Sequence, residues 1–289
     1  SLMFPAGAGD SAYFGGRWLL LAGIATLAVA ALSMLASQKI DRLAALAVVV
    51  SSGTLMAAIS FAQPGITAGA LFYLLSSTLA LAALFLLAEL IERSRQIEAE
   101  GAQADARSLA FPAEDLEPSE FDETGEPLTG RAIPAAMAFL GVSFIACTLL
   151  VAGMPPLSGF VAKFSMLSAL LNGQGLGNFQ PEATSSQAWL LLAMLIVSGL
   201  LSLWSLTGAG IRYFWTPLHR PAPHLKIIEC APIAGLLLAC VLLTVHAEAV
   251  LRYTRATAEA LQKPSLYINA VMTTQPLPQP SDDKVGVRP

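Results

Sequence analysis

The sequence predicts an all-α, polytopic membrane protein whose chain crosses the bilayer six times. Only 12% of its 289 residues are charged, against roughly 25% in soluble domains. The apolar residues form stretches of about 20 residues, the length that a helix needs to cross the hydrocarbon core. One such stretch also contains prolines, glycines and a lysine, which lipid-exposed helices rarely tolerate. We therefore expect a membrane protein with a functional site in this stretch.

The first part of the chain contains three of the predicted passes, after an outer loop over residues 1–17. A charged turn with Lys39, Asp41 and Arg42 separates the first pass from the second. Pro64-Gly65 then predicts a tight turn before the third. Together the three passes occupy residues 18–91, and their individual bounds are 18–36, 43–62 and 68–91.

A polar and acidic segment over residues 92–132 follows the third pass. Eleven of the chain's twenty acidic residues fall between Glu92 and Glu126. Low hydrophobicity combined with high charge is typical of segments that cannot bury enough apolar surface to fold. The segment is therefore predicted to be a disordered loop.

The fourth pass, residues 133–171, contains an interruption. As one helix its 39 residues would be about 58 Å long, nearly twice the thickness of the hydrocarbon core. Pro155 and Pro156 remove backbone donors, while Gly153 and Gly159 allow the chain to bend around Ser158. The pattern predicts a single crossing by two offset half-helices, the kind of broken helix that lines ion sites in transporters.

The last two predicted passes lie within residues 188–250, over 188–208 and 227–250. The tail, residues 251–289, begins with the amphipathic piece RYTRATAEALQK and continues into proline-rich sequence that predicts disorder. Lys and Arg are concentrated in the loops on one side of the predicted bundle. By the positive-inside rule these loops, including the acidic one, are cytoplasmic, and residues 1–17 are outside.

Lys163 is the main candidate for a functional residue. It is the single Lys or Arg between Arg131 and Arg212, and apolar sequence flanks it on both sides. A buried lysine can take up and release a proton when water or a nearby charge reaches it. The alternative is a lysine that extends its ammonium to the membrane surface, which from this position spans about two helical turns.

Hydroxyl side chains in the second and third passes form a second candidate group. They can allow close helix packing, with each hydroxyl bonded back to its own helix. As a group facing Lys163 they could instead line a hydrated path for protons. The residues concerned are Ser51, Ser52 and Thr54 in the second pass, and Ser76, Ser77 and Thr78 in the third.

Cofactors, metals and nucleic acids are not indicated by the sequence. It contains no glycine-rich nucleotide motif, and its three cysteines lie in apolar segments without metal-type spacing. Outside the acidic segment the chain is only mildly basic. No cofactor or metal site and no nucleic-acid partner are expected.

Four stretches resemble the antiporter-like membrane subunits shared by Mrp/Pha-type monovalent cation/proton antiporters and respiratory complex I. The broken-helix stretch GMPPLSGFVAKF is the most specific. The others are LASQKIDRLAALAVVVSSGTL, ALFYLLSSTLALAALFLLAELIER and IIECAPIAGLLLACVLLTV. The third is most similar to the D subunits of the antiporters. The resemblance covers residues 17–250 and corresponds to the C-terminal half of such a protein.

This resemblance implies a fold and a function. The family has two inverted five-helix repeats, so the first five passes would be the second repeat and the sixth a closing helix. The chain would be part of a secondary antiporter subunit, and not an enzyme, that exports Na⁺ or K⁺ in exchange for H⁺ with Lys163 as proton carrier. It would act with other membrane subunits in a bacterial inner membrane. The alternative is a proton-pumping subunit of a redox-driven complex, such as complex I or a membrane-bound hydrogenase.

Two differences from the family affect this expectation. The family's other titratable residues, a glutamate and two lysines, would lie upstream of Ser1. Many relatives also place one or two histidines in the third pass, where this chain has Ser76-Ser77-Thr78. Hydroxyls can order water, but they do not titrate near neutral pH. A relay that depends on histidine at that depth is therefore not expected here.

Overall fold

The computed structural model describes residues 15–109, 135–171, 186–214, 227–261 and 272–273, and within these ranges the regular structure is entirely helical. The eight described helices are α1 Gly16–Ala36, α2 Ile40–Ile59, α3 Pro64–Leu109, α4 Ala135–Ala152, α5 Ser158–Leu171, α6 Ser186–Phe214, α7 Ile227–Val245 and α8 Ala247–Leu261.

Four of the described helices are long and apolar enough to cross a membrane: α1, α2, the Pro64–Ser94 part of α3, and α6. A fifth span is counted when α7 and α8 are taken together as one bent pair. The two parts of the broken pass, α4 and α5, are apolar but shorter than a full span. The predicted all-α membrane architecture is confirmed, with four to five candidate spans, while six crossings remain a prediction.

Small residues bring α1 and α2 into direct backbone contact. A methyl group placed on Gly23 would lie 2.6 Å from the backbone nitrogen of Ala57, and one on Gly53 would lie 2.9 Å from that of Leu27. Neither position has room for a side chain. This is the close approach that glycine permits between membrane helices.

Helix α3 is longer than the sequence predicted. It has 46 residues, about 69 Å at 1.5 Å per residue, and it continues to Leu109 where a disordered loop was expected from residue 92. The correction has a simple reason: residues 92–109 are rich in Ala, Glu, Gln and Arg, which are strong helix formers. Charge ends the apolar stretch there without ending the helix. The rest of the predicted loop lies outside the described residues.

The fourth pass is interrupted at residues 153–157, between the end of α4 and the start of α5, where Pro155-Pro156 predicts a break. Helix α5 then packs against α3 in antiparallel fashion. Gly69 of α3 lies against Met166, and Gly65 lies against Ala169. The contacts place the second half of α5 beside the first two turns of α3.

The predicted sixth pass, residues 227–250, is shorter in the structure. Helix α7 ends at Val245, and the chain bends by 79° at His246 into α8. The correction follows from composition, because α8 carries charges such as Glu248 and Arg252 along an amphipathic helix that cannot continue through lipid. The tail that was expected to be largely disordered therefore begins with eleven helical residues, 251–261. Of the remaining residues only 272–273 are described.

The apolar core connects α1, α2, α3, α4 and α6 through residues such as Leu27, Leu43, Leu84, Phe144 and Leu206. Large apolar side chains also cover the outside of the bundle, and Trp18 and Trp204 are more than three-quarters exposed. An apolar exterior is what a membrane-embedded bundle presents to lipid or to neighbouring subunits.

Candidate functional site

Lys163 lies in the second turn of α5 and is buried, with 9% of its surface exposed. The face of α5 that contains Ser158 and Met166 packs on α3. Ala162 lies on the same face. Lys163 is the next residue in the helix, so its side chain points to one side of this face, toward the end of α4 and toward α6. The burial expected from the sequence is therefore observed, and the ammonium does not extend to the bundle surface.

Gly153 ends α4 with a left-handed turn that satisfies two of its last carbonyls. Its φ of 77° lies in the region that L-residues avoid. The N–H of Met154 donates to the carbonyl of Leu149 at 3.0 Å, and the N–H of Gly153 donates to that of Leu150 at 3.2 Å. This pair of bonds is the Schellman arrangement of a helix C-terminus.

Lys163 satisfies the two carbonyls that remain. Its Nζ donates to the carbonyl of Ala152 at 2.8 Å and to that of Val151 at 3.3 Å. A helix leaves its last four carbonyls without partners inside the helix, and all four are bonded here. The lysine thus completes the end of α4 from the other side of the break.

The electrostatic partner of Lys163 is the helix end itself. The C-terminus of a helix carries about half a negative charge, which favours a nearby cation. Arg93 pairs with Glu229 and Arg252 pairs with Glu248, whereas Lys163 has no ion pair with another described residue. Backbone dipoles rather than a carboxylate therefore stabilise the ammonium within the described part of the chain.

An apolar cavity of about 200 Å³ adjoins the lysine between α5 and α6. Besides Lys163, its lining includes Phe160, Phe164, Leu195 and Gly199. A methyl group on Gly199 would lie 2.9 Å from the carbonyl oxygen of Ala152 and 3.5 Å from the lysine Nζ. The absence of a side chain at Gly199 keeps this approach to the ammonium open.

The other residues of the break differ in how deeply they are buried. Gly159 is buried so close to the Leu150 carbonyl that no side chain fits there. Pro155 and Pro156 are exposed on the connecting turn, whereas Ser158 is fully buried. The break thus has an outer part that turns the chain and an inner part that brings the two half-helices together.

The predicted path hydroxyls separate into two groups. Ser76 is buried and donates to Ser158 Oγ at 2.8 Å, which joins α3 to the start of α5. Ser51 is also buried, on α2. Ser52, Ser77 and Thr78 instead bond back to carbonyls of their own helices at 2.9–3.2 Å. Thr54, also on α2, is buried and bonds back to the carbonyl of Val50 at 2.9 Å. The structure therefore does not gather all six hydroxyls around Lys163.

The sequence analysis overlooked Tyr73 and the serines of α6. Tyr73 is buried on α3, with its hydroxyl near the side chains of Ser51 and Thr54 on α2. Ser198 and Ser202 are buried on α6, on either side of the lysine's neighbour Gly199 along the chain. The spacing of Tyr73 could have drawn attention to it, because it lies three residues before Ser76 and hence on the same face of the helix.

Metal ligands are not clustered in the described ranges, where no group of three or more His, Cys, Asp or Glu side chains could hold an ion. The three cysteines are free thiols, with Cys147 and Cys240 buried. Among the described residues, the arrangement around Lys163 therefore offers no ligand set for a metal.

Two solved structures share this fold. A chain of the Mrp complex from Dietzia sp. DQ12-45-1b superposes with a TM-score of 0.64 at 19% identity, over 90% of this chain and 50% of that one. A chain of respiratory complex I from Thermus thermophilus superposes with a TM-score of 0.58 at 20% identity, over 86% and 44%. The fold is thus shared with a chain of each of these two complexes.

Sequence comparison gives the closer relationship. The chain is 42% identical over 273 residues to the D subunit of a probable K⁺/H⁺ antiporter from Rhizobium meliloti, which covers 94% of this chain and 49% of that protein. It is 34% identical over 140 residues to the D subunit of a Na⁺/H⁺ antiporter from Bacillus subtilis, over 46% and 25%. No protein-family model matches. The chain is a homologue of the antiporter D subunits, and the resemblance seen in its sequence is confirmed. The chain spans about half the length of the Rhizobium meliloti protein.

Proposed function

We propose that this chain is the C-terminal part of an ion-translocating subunit of a multisubunit monovalent cation/proton antiporter. In this proposal Lys163 carries the proton of the C-terminal half-channel. One observation carries it: a buried lysine closes the end of a broken helix through two backbone carbonyls, beside a cavity, without a carboxylate partner among the described residues. The protein is accordingly a secondary transporter component and not an enzyme.

The geometry suits a group that alternates between two protonation states. The ammonium is favoured by the negative end of α4 and by charge-assisted bonds to its carbonyls. The neutral amine still has two N–H donors, so it can keep both carbonyls bonded after the proton leaves. Neither state leaves the helix end unsatisfied, while the cavity beside Gly199 gives water a route to Nζ.

The proposed topology has six crossings. In it α4 and α5 form one crossing as two half-helices and α7 forms the sixth, so that α1 to α6 make up a five-pass repeat and α7 closes it. The end with Arg93 and Glu229 is cytoplasmic. The apolar exterior supports a location in a bacterial inner membrane among other membrane subunits, as the homologues' names and the Mrp complex suggest. Na⁺ or K⁺ is the exchanged cation.

A second candidate is a proton-pumping subunit of a redox-driven complex, and the structural likeness to complex I favours it. The two functions differ in their driving force. An antiporter exchanges cation for protons in vesicles supplied with a proton gradient alone, whereas a redox-driven pump needs electron flow. Exchange without a redox substrate supports the first function.

The test compares Lys163→Arg with Lys39→Arg in the native membrane assembly. Arginine keeps the donors and the charge, but it does not release its proton below about pH 12. Lys163→Arg should therefore abolish exchange while assembly persists. Lys39 lies in the turn before α2, away from the break, and its replacement should have no effect. The measurement is cation-dependent dequenching of a pH-sensitive dye in membrane vesicles. A wild-type rate for Lys163→Arg would show that proton release from this side chain is not part of the cycle.

A further inference from the structure

Two glycines of α3 allow α5 to pack directly against it. A methyl group on Gly69 would lie 2.8 Å from the backbone nitrogen of Met166, and one on Gly65 would lie 3.0 Å from Cβ of Ala169. Both contacts involve the second half of α5. They bring the two helices close enough for short side chains to form a bond across the interface.

A pair of serines forms such a bond at the first residue of α5, beside the break. Oγ of Ser76 donates to Oγ of Ser158 at 2.8 Å, and both residues are buried, with 1% and 0% of their surfaces exposed. Eleven residues separate Gly65 from Ser76 on α3, and the same number separates Ser158 from Ala169 on α5. Eleven residues make close to three helical turns, so the serine pair continues the row of glycine contacts on the same faces.

The serine pair favours one alignment of the two helices. A hydrogen bond requires a particular distance and direction, and a slide of α5 by one turn would break this one. The slide would place Phe72 or Ala80 opposite Ser158, because each lies four residues from Ser76 on the same face. Neither side chain can form a hydrogen bond, so each serine would lose its partner on the other helix within an apolar interior.

The first two turns of α5 connect this alignment to the lysine. Lys163 follows Ser158 by five residues in the same helix, about 7.5 Å along its axis. Gly159, the residue after Ser158, lies against the carbonyl of Leu150 in α4. The lysine Nζ bonds the carbonyls of the next two residues of α4 at 3.3 and 2.8 Å. Because the longer bond is already at the upper end of the usual range, a shift of α5 by about 1 Å would break it.

We propose that Ser76 and Ser158 are positioning residues for Lys163. Their hydrogen bond fixes where the start of α5 lies on α3, and hence where the ammonium meets the end of α4. The inference rests on the proposed function, because the position of Lys163 matters for exchange only if this side chain carries the proton. The two serines act through the lysine and do not themselves transfer a proton.

The test uses Ser76→Ala, Ser158→Ala and the double variant, with Ser168→Ala as the matched control. Ser168 is a serine of α5 that bonds back to the carbonyl of Ser165 in its own helix at 3.0 Å. In vesicles of the native assembly, each single change should slow cation-dependent proton exchange about fivefold per assembled complex, the order of effect expected from one neutral hydrogen bond. The double variant should be no slower than the slower single variant, because both changes remove the same bond. Ser168→Ala should exchange at the wild-type rate.

A second variant, Ser76→Cys with Ser158→Cys, separates positioning from proton transfer and from a purely structural role. A disulfide between these cysteines holds α5 on α3 without any hydroxyl, so oxidation should restore the exchange rate and reduction should lower it in the same assembled protein. Ser158→Cys alone, given the same oxidant, controls for the native thiols and should not respond.

Three outcomes would overturn the positioning role and leave the proposed function intact: wild-type exchange by both alanine variants, additive slowing in the double variant, or loss of exchange in the crosslinked protein. Absence of exchange in the unmodified protein overturns the proposed function, and the positioning role falls with it.

Discussion

Gly153→Ala is expected to destabilise the end of α4 and displace Lys163. An L-residue at a φ of 77° costs about 1–2 kcal/mol. The new methyl group would lie 2.7 Å from Cδ and 3.1 Å from Nζ of the lysine, so the side chain must move. Loss of a hydrogen bond from a charged donor costs about 1.5–3 kcal/mol. Together these two costs lower the free energy of unfolding by about 2.5–5 kcal/mol.

Gly141→Ala is the matched control, because Gly141 lies in the same helix with no neighbouring atom within 4 Å of the added methyl group. Alanine in a helix interior is about 0.5–1 kcal/mol more favourable than glycine, so this variant should be slightly more stable. Thermal unfolding of each purified protein in detergent, followed by circular dichroism, measures the difference, and vesicle exchange measures the effect on function. Equal melting and equal exchange for the two variants would refute the role given to Gly153.

Three further predictions concern the approach to the lysine, the surface charges and the orientation. Gly199→Ala should slow exchange several-fold, because its methyl group crowds the last carbonyl of α4. Gly235→Ala should leave the rate unchanged, because its methyl group has no neighbouring atom within 4 Å. Equal rates for the two variants would contradict the role of the cavity. The Arg93–Glu229 ion pair is 2.8 Å long but partly exposed, so a double-mutant cycle should give a coupling below about 1 kcal/mol that decreases in high salt. A cysteine replacing Gln63 should react with an impermeant thiol reagent in intact cells while one replacing Arg93 is protected, and the reverse pattern would invert the topology.

Features encoded by local chemistry could be predicted from the sequence. Pro155 and Pro156 remove two adjacent backbone donors, which favours a break, and a lone lysine in an apolar run is visible by inspection. The length of α3 could not be obtained from hydropathy, because an apolar window ends where charge begins even when the helix continues. The bend at His246 was also missed, since no proline or glycine marks it and the apolar stretch runs past it.

The partners of the site were the least predictable part. Lys163 is held by carbonyls of Val151 and Ala152, and every residue type supplies a carbonyl, so no side chain signals the contact. In the sequence, Tyr73 is one more aromatic residue in an apolar helix. Its polar surroundings arise only because folding brings the hydroxyls of Ser51 and Thr54 near it from α2.

The backbone contact between α1 and α2 has a mechanical consequence. Because no methyl-sized gap exists at Gly23 or Gly53, these helices cannot slide past each other without a steric clash, and we expect them to move as one rigid body. Helix α5 is also in close contact with α3 at Gly69. Its bonds to the end of α4, however, come from the Lys163 side chain, which can exchange them for bonds to water. Displacement during the exchange cycle is therefore expected at the contact between α4 and α5. A crosslink between α1 and α2 should leave exchange intact, whereas one that fixes α5 to α4 should stop it.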